Sequence, residues 1–94
     1  MNGFGETIIW DEDWGTAGNG THIAENGLTR EDVEHVLYDN DFRVHAASRS
    51  SGRNATFGHT PAGVHIVVFW REDNVDPRVV YPITAYEVDP PSRR

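Results

Sequence analysis

The sequence predicts one α+β domain: an N-terminal strand, two short helices, then three or four antiparallel strands with the helices on one sheet face. Three observations predict it. The chain has 94 residues, 37% hydrophobic and 24% charged, the balance of a single globular domain. Helical periodicity and caps stand before residue 42. From residue 42 on, alternation of period two and β-branched runs take over. A chain this short buries only somewhat more than about 60% of its unfolded surface, so the core is modest. Residues 1–88 are assigned to the domain and 89–94 (DPPSRR) to a tail.

Glu6-Thr7-Ile8-Ile9-Trp10 gathers β-branched and aromatic residues into a short strand. The glycine-rich GTAGNGT that follows discourages helix, at about 1 kcal/mol per glycine relative to alanine. Residues 21–26 then suit one or two helical turns, closed by Asn26-Gly27. Thr29 opens a second helix, with Asp32 completing a capping box. Val33, Val36 and Leu37 form its apolar stripe, and His35 falls off that stripe. Phe42 to Ala46 alternates as a half-buried strand, residues 48–52 (SRSSG) make a polar turn, and Arg53 to His59 is the next strand. Thr60-Pro61-Ala62-Gly63 is a hairpin turn that sets His59 and His65 across from each other. Val64 to Trp70 is apolar enough to be a central strand. Residues 72–77 read as a turn, and Arg78 to Val88 as the last strand, with a bulge or edge position implied at Pro82. Trp10, Trp14 and Trp70 are assigned to core or interface.

Charge is distributed unevenly. The net charge is −7, all eight basic residues are Arg, and there is no Cys. Disulfides, thiolate metal sites and Cys nucleophiles are thereby excluded. Residues 1–41 hold ten acids and one Arg, whereas residues 42–71 hold four Arg, no acid and three of the five His. A basic island in an acidic chain points to an anionic partner on one face. MNGFGETIIW lacks a basic n-region and a long apolar stretch, and no run is long enough to span a bilayer. A cytoplasmic protein with no membrane association is therefore expected.

Several strings in order resemble the BrnT-like toxins, relatives of the RelE-type ribonucleases of bacterial toxin–antitoxin pairs. They are Trp10-Asp11, residues 22–29 (HIAENGLT), residues 31–37 (EDVEHVL), the Gly58 to Gly63 hairpin, residues 64–69, and residues 81–86 (YPITAY). The resemblance covers roughly residues 8–88 and implies a toxin that cleaves mRNA, with a cognate antitoxin protein as partner. The chain departs from the family pattern at Glu25-Asn26, where many members carry Lys-His, and at Tyr86, where they carry Arg. Those departures support an alternative: a non-catalytic domain on the same scaffold that binds a protein partner or nucleic acid.

A metal-independent ribonuclease needs a base for the 2′-OH, an acid for the 5′ oxygen, and cations for the phosphate. His22, His59, Arg53 and Tyr86 are the catalytic candidates, and Arg43, Arg49 and Arg53 the phosphate or RNA contacts on the 42–71 face. Imidazole serves acid–base work near neutral pH, and the guanidinium fork grips two phosphate oxygens. In a regular strand Arg53 and His59 share a face but stand about 20 Å apart. Tyr86 can also stack on a base. His22 and Glu25 share a helical face, but spacing offers no third metal ligand, and no cofactor motif is present. Exposed Trp14, or an edge strand with Pro82, offers a homodimer surface.

Overall fold

The computed structural model describes residues 7–11, 18–48, 50–75 and 77–90. The elements are β1 (Thr7–Ile8), α1 (Asn19–Glu25), α2 (Arg30–Asp39), β2 (Ala46–Ser48), β3 (Arg53–His59), β4 (His65–Val75) and β5 (Arg78–Glu87). They form an α+β fold with one five-stranded mixed sheet in the order β1-β5-β4-β3-β2. β2 to β5 pair antiparallel, within the three or four such strands expected, and β1 adds to β5 in parallel, Thr7 opposite Val79 and Ile8 opposite Val80, which makes the sheet mixed. Of the strand expected over residues 6–10, residues 7 and 8 make this pairing, and residue 6 lies outside the described part. Trp14 and most of the tail, residues 91–94, lie outside it too.

α2 starts where the sequence places it. Thr29 Oγ1 accepts from the Asp32 N–H at 3.1 Å, and the Asp32 carboxylate accepts from the Thr29 N–H at 3.0 Å, closing the capping box. α1 begins at Asn19, two residues before the expected start at Thr21, because a distant carboxylate caps it. Asp11 Oδ2 accepts from the Asn19 N–H at 3.2 Å. The buried Asn19 side chain then donates to the carbonyls of Ile9 and Pro82 and accepts from the Asp11 N–H. This one amide joins the segment after the first strand, the first helix and the last strand. The residue at Pro82 is where the β4–β5 register slips: Phe69 faces Thr84 and Trp70 faces Pro82, leaving Ile83 as the extra residue. A bulge suits a proline, which cannot donate to the ladder.

The strand expected over residues 42–46 is not formed at its start. Asp41 and Phe42 both take left-handed backbone (φ 55° and 54°), which no strand accommodates, so pairing begins only at Ala46. The reversal drives Phe42 into the core, edge-on to Trp70 with ring centroids 6.3 Å apart. The turn expected over residues 72–77 is also displaced. β4 runs on to Val75, which pairs with Arg78, and the Arg78–Glu72 ion pair (2.7 Å) spans the ribbon. These exposed polar residues carry a turn-like composition, yet cross-strand pairing holds them extended.

The core lies between the helices and one sheet face: Ile23, Leu28, Val33, Val36 and Leu37 meet Ile66, Val68, Trp70, Val80 and Ala85. Trp70 at its centre donates to Thr56 Oγ1 (2.9 Å), which donates to the Arg43 carbonyl (2.6 Å), so the indole N–H and the hydroxyl are both paired. α2 lies so close to β3 that a Cβ on Gly58 would meet Asn40 Nδ2 at 2.6 Å and Val36 Cγ1 at 3.0 Å. Among the described residues no helix is long and apolar enough to cross a membrane.

Two outcomes follow from these contacts. Gly58→Ala is expected to destabilise the fold by about 1–3 kcal/mol in denaturant titration, because backbone and α2 must separate. The Tyr81 hydroxyl donates to the Asp11 carboxylate. That hydrogen bond, then burial and the Asp11 charge, raise the Tyr81 pKa above its ordinary 10.0. The contribution to stability is therefore complete below pH 10.0 and is lost as pH rises through the higher folded value. Alkaline denaturation should show this fall in the wild type and a shallower one in Tyr81→Phe.

Candidate functional site

Both helices lie on the same side of the sheet, so the opposite face carries no helix among the described residues. Strand side chains alternate, so the residues between those of the core emerge on that open face. Register arranges them in rows. His59 faces His65, Phe57 faces Val67 and Val67 faces Tyr86, Ala55 faces Phe69 and Phe69 faces Thr84, and Arg71 faces Tyr81. Arg53 faces Ser48 at the end of β3 remote from His59. Successive rows are about 7 Å apart.

At one end the rings cluster. The His59 and His65 imidazoles have centroids 4.9 Å apart, and His65 lies nearly parallel to Phe57 at 6.5 Å and 20°. His45 comes in from the loop after α2, with its ring 6.1 Å from Phe57. That loop is fastened to β3: the His45 N–H donates to the Ala55 carbonyl (2.8 Å), and the Phe57 N–H donates to His45 Nδ1 (2.9 Å). An Nδ1 that accepts a proton donor must be unprotonated, so the neutral ring carries its proton on Nε2 as a donor. His65 Nδ1 is buried and has no hydrogen-bond partner among the described residues. These residues, with Asp39, Asn40, Gly58 and Asp89, line a cleft of about 530 Å³ at the free edge of β3.

The middle of the face is aromatic and the far end cationic. Tyr86, 43% exposed, leans on Phe69 with centroids 5.8 Å apart. Arg53 lines a second hollow of about 370 Å³ with Ser48, Ser51 and Phe69. Arg71 lies over the Tyr81 ring at 4.2 Å and pairs with Asp73. A larger groove, about 620 Å³, runs along the outer side of α2, but Glu31, Glu34 and Asp39 line it. Its carboxylates repel an anionic ligand; the open sheet face offers imidazole, ring and guanidinium, although Asp39 and Asp89 also line the histidine cleft.

The structure thus brings some candidates together and separates others. His59, Tyr86 and Arg53 share the open face, with His59 and Arg53 at opposite ends of β3. His22 does not join them: it stands on α1, on the helix-covered side, with its Nδ1 3.9 Å from exposed Glu25. Arg43 is exposed in the loop that leads to His45, and Arg49 lies outside the described residues. Residues absent from the expected set are His45, Phe57 and His65. The cross-strand pairing of His59 with His65 is legible in the Thr60 to Gly63 hairpin. The approach of His45 is not, since it depends on the left-handed turn at Asp41-Phe42.

No protein-family model, curated protein or solved structure matches the chain. Among the described residues no three His, Cys, Asp or Glu side chains are placed to hold one metal ion.

The His45 contact is testable by hydrogen exchange. The Phe57 amide should exchange about 5-fold faster in His45→Ala, the worth of about 1 kcal/mol of hydrogen bond. Unchanged Phe57 exchange in His45→Ala contradicts the contact.

Proposed function

We propose that the open sheet face binds single-stranded RNA, and that His59 and His65 at its end cleave the bound strand without a metal ion. The observation that carries this reading is the pair of imidazoles 4.9 Å apart beside the parallel Phe57–His65 rings. One imidazole, neutral, takes the proton of a 2′-OH as its oxygen attacks phosphorus. The other, protonated, gives its proton to the departing 5′ oxygen. The P–O5′ bond breaks as the P–O2′ bond forms, leaving a 2′,3′-cyclic phosphate and a 5′-OH, with no redox change. The Nε2–H of His45 supplies a donor for a nonbridging phosphate oxygen. Phe57 and Tyr86 offer ring faces to bases, and Arg53 takes a phosphate about 20 Å along the strand. His22 has no part in this reading.

What supports the resemblance to BrnT-like toxins is the chain order of one strand, two helices and four antiparallel strands. In that reading the protein is a cytoplasmic toxin component, and its cognate antitoxin covers the open face. The second reading is a binding domain without catalysis. Its support is the separation of Arg53 from His59 along β3, which leaves the imidazole pair without the arginine a developing phosphate charge calls for.

Labelled single-stranded RNA incubated with the protein in excess chelator separates the two readings. Cleavage to cyclic-phosphate ends is expected, reduced about 10²-fold or more in His59→Ala and in His65→Ala. Arg53→Ala should leave cleavage measurable but lower the salt dependence of binding by about 0.7 in slope, one phosphate contact on a single strand. Binding without cleavage selects the second reading. Absence of both contradicts each.

A further inference from the structure

The histidine cleft contains a group that phosphate binding does not call for. Asp89 lines it together with Phe57, His59 and His65. Its place is set by the backbone: the Val88 N–H donates to the His65 carbonyl at 3.0 Å, so the chain leaving β5 passes beside the imidazole pair. A carboxylate here weakens any site that holds only phosphate, since like charges repel in a partly enclosed cleft. Its presence fits a ligand that brings hydrogen-bond donors as well as phosphate.

Nucleobases meet that description when they lie flat on a ring and present an edge. The near-parallel Phe57 and His65 rings give the flat surface, and a cleft of about 530 Å³ has room for a purine. The four bases differ in what they offer a carboxylate. Guanine alone sets two donors, N1–H and the N2 amine, side by side on its Watson–Crick edge, matching the two carboxylate oxygens. Adenine and cytosine place a ring lone pair beside their amine, and uracil places carbonyls on both sides of N3–H. In each of these cases one carboxylate oxygen meets an acceptor. Asp39 enters the same cleft from α2, the side of the sheet away from the stacking rings.

We propose that Asp89 makes the histidine cleft selective for guanine, its carboxylate accepting from N1–H and the N2 amine of a base lying on Phe57 and His65. This rests on the RNA reading above and names the substrate that reading takes.

The test is fluorescence anisotropy with the whole chain and short uridine oligomers, 2′-O-methylated to prevent cleavage, carrying one central guanosine, adenosine or cytidine. The guanosine oligomer should bind about tenfold or more tightly than the others. Asp89→Asn, an exposed position where folding is not at issue, should erase that preference while binding the all-uridine oligomer as well as, or better than, the wild type. Asp39→Asn should retain the preference. Equal affinity of the wild type for all oligomers, or a guanosine preference that survives Asp89→Asn, overturns the inference and leaves the RNA reading standing. No binding to any oligomer overturns both.

Discussion

The open face and its histidine cluster depend on how closely α2 lies against β3 at Gly58. With hydrogen in place of a side chain there, Asn40 and Val36 press onto the strand backbone. Asn40 then closes its own helix, its Nδ2 donating to the Val36 carbonyl at 2.8 Å. Two left-handed residues turn the chain back, Phe42 seals the core against Trp70, and the following loop returns along the free edge of β3. His45 is delivered to Phe57 by that return. A methyl group at Gly58 would push α2 outward and shift each step after it.

The closeness has a second consequence. All the helical structure described is spent on one sheet face, because a short chain has enough apolar surface for one core layer. The opposite face buries Ala55 and Val67 under its own larger side chains and exposes rings and cations. Acidic residues gather on the helix side, in the groove along α2. The net charge of −7 is thus a sum over two unlike surfaces, and the sign that matters to a ligand is that of the face it meets.

Much of this was legible in the residues. The capping box at Thr29, the stripe of Val33, Val36 and Leu37, the pairing of His59 with His65 and the irregularity at Pro82 all rest on local chemistry that a short window contains. What was not legible depends on partners far away in the chain. Asp11 caps a helix eight residues later, and the ribbon beyond Arg71 is held by pairing that its polar composition conceals. The site shows the same division. Strand alternation put His59 and Arg53 on one face and far apart, as found. His22 looked comparable to His59 in sequence, and only the packing of α1 on the core side separates them. The contact of His45 with Phe57 was silent because a side-chain acceptor for a strand amide leaves no pattern in sequence.

In the proposed reading, the sheet face that carries no helix among the described residues, rather than the helical layer, meets single-stranded RNA. Amide NMR spectra recorded during titration with a non-cleavable RNA oligomer test it most directly. Shift changes are expected at residues 45, 53–59, 65–71 and 86, with the outer residues of α1 and α2 unmoved. Changes centred on Glu31, Glu34 and Tyr38, or no changes at saturating RNA, would contradict it.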